Sequence, residues 1–192
     1  MVYPTPSDSD TPHEFLGDAS LAGFKSCFRK RGTSDSTIYE YKSFCEDFLK
    51  RENIERYSKK FANIYDCIVS SSGIVFVHIP YKETAKTFCM MLEEGGYTRW
   101  SDTKSKKRNF LKTDTKPNGV KYLFLTGDTQ NTTKKFLNDG IAKLNQNTNI
   151  NGEEIKVVIT TDVAKEGLNF FNVREIHLTA PWFHLNRLEQ II

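Results

Sequence analysis

The sequence predicts an α/β domain built on a mostly parallel sheet, and three observations carry that expectation. Ile74-Val-Phe-Val-His-Ile79 and Ile155-Lys-Val-Val-Ile159 are β-branched and aromatic runs of strand length, apolar at every position but His78 and Lys156. Such runs fit strands covered on both faces better than strands with one wet face. Amphipathic segments with apolar residues at three- and four-residue spacing alternate with them, and turn signals such as Ser70-Ser-Ser-Gly73 and Gly95-Gly96 separate the two kinds. Strand and helix in alternation is the rhythm of a parallel sheet with helical crossovers.

Residues 1–10 are rich in Pro, Ser, Thr and Asp with no hydrophobic period, which predicts an extended arm. Ile38, Tyr41, Phe44, Cys45, Phe48 and Leu49 recur at helical spacing, predicting a helix from Ile38 to Asn53. A second helix starts after Ser58, a suitable N-cap, with Phe61, Ile64, Tyr65 and Ile68 inward. The strand to Ile79 leads to a helix from Thr84 to Glu94, ended by Gly95-Gly96. Lys121-Tyr-Leu-Phe-Leu125 predicts a strand, 133–144 a helix, 155–159 a strand and Glu175-Ile-His-Leu178 a short strand. Leu185 to Ile192 begins a helix that is still apolar at its last residue, which suggests truncation because nothing follows to cap its carbonyls.

A chain of 192 residues, 38% of them hydrophobic, has enough apolar surface for one core without disulfides or a structural metal. No apolar run approaches the roughly 18 residues of a membrane span. The N-terminus lacks a basic region followed by an apolar stretch, so an intracellular protein is expected. Cys27, Cys45, Cys67 and Cys89 stand singly and read as packing thiols. His177 and His184 have no carboxylate partner placed beside them by the sequence and read as packed or exposed side chains, so no metal site is expected. The net charge of +3 is unevenly spread, with eight Lys or Arg against two Asp between Arg99 and Lys121. That basic segment reads either as a flap that contacts phosphates, with Trp100 and Phe110 stacking on bases, or as a solvated loop.

No glycine is followed by lysine, so the chain has no Walker A loop. Gly-x-Gly-x-x-Gly, His-Glu-x-x-His and Gly-x-Ser-x-Gly are also absent, which removes the commonest dinucleotide, zinc-protease and serine-hydrolase readings. In open parallel sheets, ligands lie beyond the carboxyl ends of the strands. The search therefore narrows to residues 78–81, 126–129, 160–169 and 179–184. The richest of these is Thr160-Thr-Asp-Val-Ala-Lys-Glu-Gly-Leu-Asn-Phe170. It reads as a phosphate- or ribose-binding loop, or as a plain strand-to-turn connection with Asp162 as a helix cap.

Taken together, the strand from Gly73 to Ile79, the Leu123-Phe-Leu-Thr-Gly-Asp128 strand end, the block from Val158 to Asn169 and Leu188-Glu-Gln-Ile-Ile192 resemble the second RecA-like lobe of superfamily 2 helicases. They match, in order, motif IV, the strand end after it, motif V and the start of motif VI. Glu166-Gly-Leu-Asn-Phe-Phe171, Arg174-Glu-Ile-His-Leu178 and Pro181-Trp182 look most like helicases of large cytoplasmic DNA viruses. That group includes relatives of the poxvirus early transcription factor small subunit and nucleoside triphosphate phosphohydrolase I.

The resemblance implies a RecA-like three-layer domain over 56–192, cut off within motif VI and carrying a basic insertion at 99–121. An arm and short helical extension would precede it over 1–55. It implies that Thr126 and Gly127 meet the nucleic-acid backbone and that Thr161 and Asp162 either do the same or link to the other lobe, and Lys104, Lys106, Lys107 and Arg108 of the insertion are further candidates. Gly167, Asn169 and Gln190 would face the nucleotide, Gln190 as the residue nearest catalysis. The Gly-Arg-x-x-Arg that follows in the family does not follow here, and its arginines stabilise the transferring phosphoryl group. The implied function is the second motor lobe of an ATP-dependent nucleic-acid helicase or DNA translocase, viral and transcription-associated; the alternative is a non-catalytic nucleic-acid-binding relict. ATP with Mg2+ is expected in the complete two-lobe motor, with neither tight binding nor hydrolysis by this chain alone. Expected partners are nucleic acid, with DNA favoured over RNA, a first RecA-like lobe in the same polypeptide or in trans, and viral transcription machinery, but no membrane. A viral protein of this kind would act in the host cytoplasm or be carried in the virion.

Overall fold

The computed structural model describes residues 19–32, 37–101, 109–127, 133–161 and 169–180. Strands β3 (Ile74–His78), β4 (Thr98–Arg99), β5 (Lys121–Leu125), β6 (Ile155–Thr160) and β7 (Val173–Leu178) form one sheet. Its order is β4-β5-β6-β3-β7, and every neighbouring pair is parallel. The chain makes its crossovers through α4 (Lys82–Glu94) and α5 (Lys134–Leu144), and α3 (Lys59–Ser70) precedes β3.

Because alternate strand residues face opposite ways, the two apolar faces can be read residue by residue. Val75, Val77, Tyr122, Phe124, Val157 and Ile159 pack with Phe61, Ile64 and Ile68 of α3 and Phe88 and Leu92 of α4. Ile74, Phe76, Leu123, Leu125 and Val158 pack with Phe136 and Leu144 of α5. The result is helix, sheet and helix in three layers, the α/β arrangement the sequence predicts. Each fully buried side chain such as Phe88 or Phe124 contributes about 1.5–3 kcal/mol relative to exposure. β7 differs from the three central strands: it lies at the edge and is only half-buried, with Ile176 exposed.

The helix boundaries follow from local chemistry. The Ser58 hydroxyl accepts from the Phe61 N–H at 3.2 Å and opens α3; Thr133 does the same for Phe136 at 3.1 Å and opens α5. At the end of α4, the Tyr97 N–H reaches back to the Leu92 carbonyl at 3.0 Å, which requires Gly96 in the left-handed region at φ +86°.

Before α3 the structure corrects the sequence reading. Residues from Ile38 to Asn53 are not one helix. α1 (Ala19–Cys27) runs into β1 (Phe28–Arg31), which pairs antiparallel with β2 (Ile38–Tyr41). A 3-10 turn at Ser43–Cys45, Asp47 at φ +62° and the short α2 (Arg51–Ile54) complete the segment. The helical spacing is accounted for by tertiary packing. Phe28 lies 5.5 Å from Tyr41 and 5.8 Å from Phe48, and Phe24 lies 4.9 Å from Tyr39, so an aromatic cluster sets the placement. This cluster is continuous with the core on the α4 side of the sheet.

The basic insertion is corrected in part. Trp100 and Phe110 are 6% and 4% exposed and are core residues, so neither is offered to a base. Trp100 packs on Phe136 at 5.1 Å and Phe110 on Phe124 at 5.5 Å. Residues 109–112 are tied down rather than flap-like. The Tyr39 N–H donates to the Phe110 carbonyl at 2.6 Å, the Lys112 N–H donates to the Tyr39 carbonyl at 2.9 Å, and Tyr39 and Leu111 form a parallel bridge.

The anchor beneath that segment is a buried carboxylate. Glu93 of α4 accepts from the Phe110 N–H at 2.9 Å, the Leu111 N–H at 2.7 Å and the Tyr122 hydroxyl. Burial pushes its carboxyl up to about 7, against the pull of those donors and of the Arg99 charge. Arg99 lies over the Phe110 ring at 4.2 Å.

Candidate site at the carboxyl edge of the sheet

The parallel strands end together, and their last residues form a polar row in the spatial order Thr126, Thr160-Thr161, His78, Thr179. All five are buried. The Thr161 N–H donates to the Leu125 carbonyl at 3.1 Å, fixing the exit of β6 against that of β5. The Ile79 N–H donates to the Thr160 carbonyl at 2.9 Å, and His78 Nδ1 lies 3.1 Å from Thr160 Oγ1. The Thr179 N–H and hydroxyl both donate to the His78 carbonyl, at 3.1 and 2.9 Å. Lys60, in the first turn of α3, donates from Nζ to the Thr179 carbonyl at 2.8 Å and brings an ammonium group to the same edge.

This row can hold the exits of four strands in fixed register, so that the segments leaving them start from defined positions. It has little hydroxyl to offer a ligand directly, since Thr126 and Thr161 are only 3% and 4% exposed. The exposed group at the β5 exit is Gly127, where a phosphate oxygen can approach the backbone without meeting a side chain.

Of the predicted site residues, the structure brings together Thr126, Gly127 and Thr161. Asn169 is placed elsewhere: its carbonyl accepts from Asn145 Nδ2 at 2.9 Å, just past the end of α5. Asn145 Oδ1 also accepts from the Phe171 N–H at 2.9 Å. Since α5 runs back across the sheet, this is the end where β6 begins, away from the threonine row. Asp162, Gly167, Gln190, Lys104, Lys106, Lys107 and Arg108 lie outside the described residues, as do Pro181, Trp182, His184 and the predicted final helix. Among the remaining bases of the insertion, Lys112 pairs with Glu40 at 3.0 Å and Lys121 with Glu154 at 2.9 Å.

The sequence reading placed His78 and Thr179 within the windows to search but gave them no part, counted Thr160 only as the start of the loop to Phe170, and missed Lys60. Their signal was position alone, each polar residue at or next to the last residue of an apolar strand. Lys60 carries no such signal, because only the packing of α3 places it there.

Comparison with known proteins adds to this geometry. The chain is 29% identical over 154 residues to a protein of Acanthamoeba polyphaga mimivirus that carries the name of an ATP-dependent RNA helicase. That match covers 79% of this chain and 24% of the relative. It is 24% identical over 102 residues, 53% of its length, to a protein of Kluyveromyces lactis named as the killer plasmid pGKL-2 helicase. The chain is thus similar in sequence to two proteins named as helicases. The matched part spans about a quarter of the mimivirus protein and 15% of the plasmid protein. No family model matches the chain. No solved structure matches it either. Among the described residues, no helix is long and apolar enough to cross a membrane.

Proposed function

We propose that this chain forms the second, C-terminal motor lobe of a viral superfamily 2 helicase or DNA translocase. The observation that carries the reading is the parallel sheet whose β5 and β6 exits set Thr126-Gly127 beside Thr161, at the start of the Thr161-Asp162 block, in a chain related to proteins named as helicases. In that role the carboxyl edge meets the nucleic-acid backbone through Gly127 and Asp162, while the buried Thr126 and Thr161 hold the two strand exits in register. Gly167 and Gln190 face ATP with Mg2+ across the cleft to a first RecA-like lobe, whether in the same polypeptide or in trans. ATP binding draws the lobes together and hydrolysis releases them, and this lobe shifts its grip on the track at each cycle. No glycine of this sequence is followed by lysine, so the proposal assigns the Walker A loop to the first lobe and turnover to the assembled motor. DNA is the proposed track and transcription the proposed setting, although the mimivirus relative is named for RNA.

The test joins this chain with its first lobe and measures ATP turnover with double-stranded DNA and with RNA. DNA-stimulated turnover that disappears in Gln190→Ala and Gly167→Val, with nucleic-acid affinity kept, supports the reading. Stimulation by RNA alone moves the track to RNA. Nucleic-acid binding without any turnover identifies a binding module instead of a motor lobe.

A further inference from the structure

Cys67 lies in the last turn of α3, and Glu175 and His177 lie two residues apart on β7. The register of β7 slips between Val173 and Glu175, so that Glu175 pairs with Val75 and His177 with Val77. Val75 and Val77 face α3, and the slip turns the carboxylate and the imidazole toward the same side. The thiol, carboxylate and ring nitrogen then lie within 4.8 Å of one another. Glu175 Oε1 is 2.7 Å from His177 Nε2, yet that nitrogen is buried without a hydrogen bond of acceptable alignment. The sequence reading set His177 aside for want of a carboxylate partner, and Glu175 removes that reason.

We propose that Cys67, Glu175 and His177 form a binding site for one divalent transition-metal cation of the zinc class. The donor set is one sulfur, one oxygen and one nitrogen, a mixture that suits zinc or cobalt and is too soft for magnesium or calcium. Three protein ligands leave a fourth position for water or a further ligand. With metal–ligand bonds of about 2.0 Å, two ligand atoms of a tetrahedral centre stand roughly 3.3 Å apart. Binding therefore opens the Glu175–His177 contact by about half an ångström. A Glu175 side chain that is 32% exposed has room for that swing and leaves the ion a way in. The bound ion would fasten the end of α3 to β7, an edge strand whose sheet partner is β3.

The experiment is a titration of the full chain with Co2+, followed by absorption spectroscopy under reducing conditions. The expected result is one equivalent of Co2+ with a thiolate-to-cobalt charge-transfer band, displaced by Zn2+. Cys27, Cys45 and Cys89 are buried and Cys67 is half-exposed, so Cys67→Ser should abolish the band. Glu175→Gln and His177→Ala should weaken Co2+ binding about ten-fold or more. Absence of a charge-transfer band in the wild-type chain, or its persistence in a folded Cys67→Ser variant, overturns the proposal. If Cys67→Ser does not fold, Glu175→Gln decides: unchanged Co2+ affinity overturns the site, and weakened binding supports it.

Discussion

The Tyr122 hydroxyl donates to the Glu93 carboxylate inside the domain, joining β5 to α4 beneath the segment that carries Phe110 and Leu111. A carboxyl that keeps its proton more readily folded than unfolded makes stability depend on pH in a defined direction. Below the ordinary value of 4.5 both states are protonated and the contribution of Glu93 is complete. Between 4.5 and about 7 the unfolded chain ionises first, and stability falls as pH rises. Each pH unit of that window costs about 1.4 kcal/mol, or on the order of 3 kcal/mol in all. Urea unfolding of wild type and Glu93→Gln across the window should show wild type losing stability relative to the variant. Parallel profiles would reject this role.

Phe110 separates two readings of the insertion. As a core residue on Phe124 and under Arg99, its replacement by alanine should cost about 3–5 kcal/mol in unfolding free energy. The nucleic-acid affinity of the folded fraction should stay the same. Neutralising Lys104, Lys106, Lys107 and Arg108 should do the reverse, leaving stability intact and flattening the salt dependence of binding. Loss of affinity in a folded Phe110→Ala variant would restore the stacking role.

Asn149 replaces a piece of secondary structure. Fully buried, it donates from Nδ2 to the carbonyls of Leu144 and Ile155, each at 3.1 Å. Its Oδ1 accepts from the N–H groups of Glu154 and Ile155 at 2.9 and 2.8 Å. Asn149→Ala strands backbone groups at the start of β6, at about 2–4 kcal/mol. A denaturation midpoint within error of wild type would refute the arrangement.

Gly96 should tolerate no side chain. Its φ of +86° strains any L-residue, and a Cβ would stand 2.9 Å from the Lys116 carbonyl oxygen. Gly96→Ala should lower stability by about 1–3 kcal/mol, more than the same change at Gly119, where a Cβ meets nothing within 4 Å. Equal losses at the two positions would contradict the close approach.

What the sequence made legible was the centre. Strands β3, β5 and β6 announce themselves because burial on both faces leaves mostly apolar runs with few polar breaks, and Ser58, Thr133 and Gly96 mark helix ends by chemistry that acts within a few residues. The region from Ile38 to Asn53 misled because the same spacing serves a helix face and an aromatic cluster assembled with Phe24 and Phe28. β1 and β4 were missed: Phe28-Arg-Lys-Arg31 has a single apolar residue, and Thr98-Arg99 is too short to show a period. At the candidate edge, the strand-end positions of Thr126 and Thr161 were legible, whereas Lys60 and the meeting of Cys67 with Glu175 and His177 depend on contacts between distant segments.

The strand order also sets a schedule for acquiring the fold. β3 sits between β6 and β7, and both partners come after it in the chain: Val75 waits for Val157 on one side and Glu175 on the other. During synthesis a strand apolar at all but its last residue therefore emerges with both edges unpaired and stays so until most of the domain has followed. Such long-range parallel pairing folds slowly and leaves sticky edges open to neighbouring chains. Nascent-chain aggregation of this protein should centre on 74–79, and a chaperone that shields that stretch should raise the yield of folded chain.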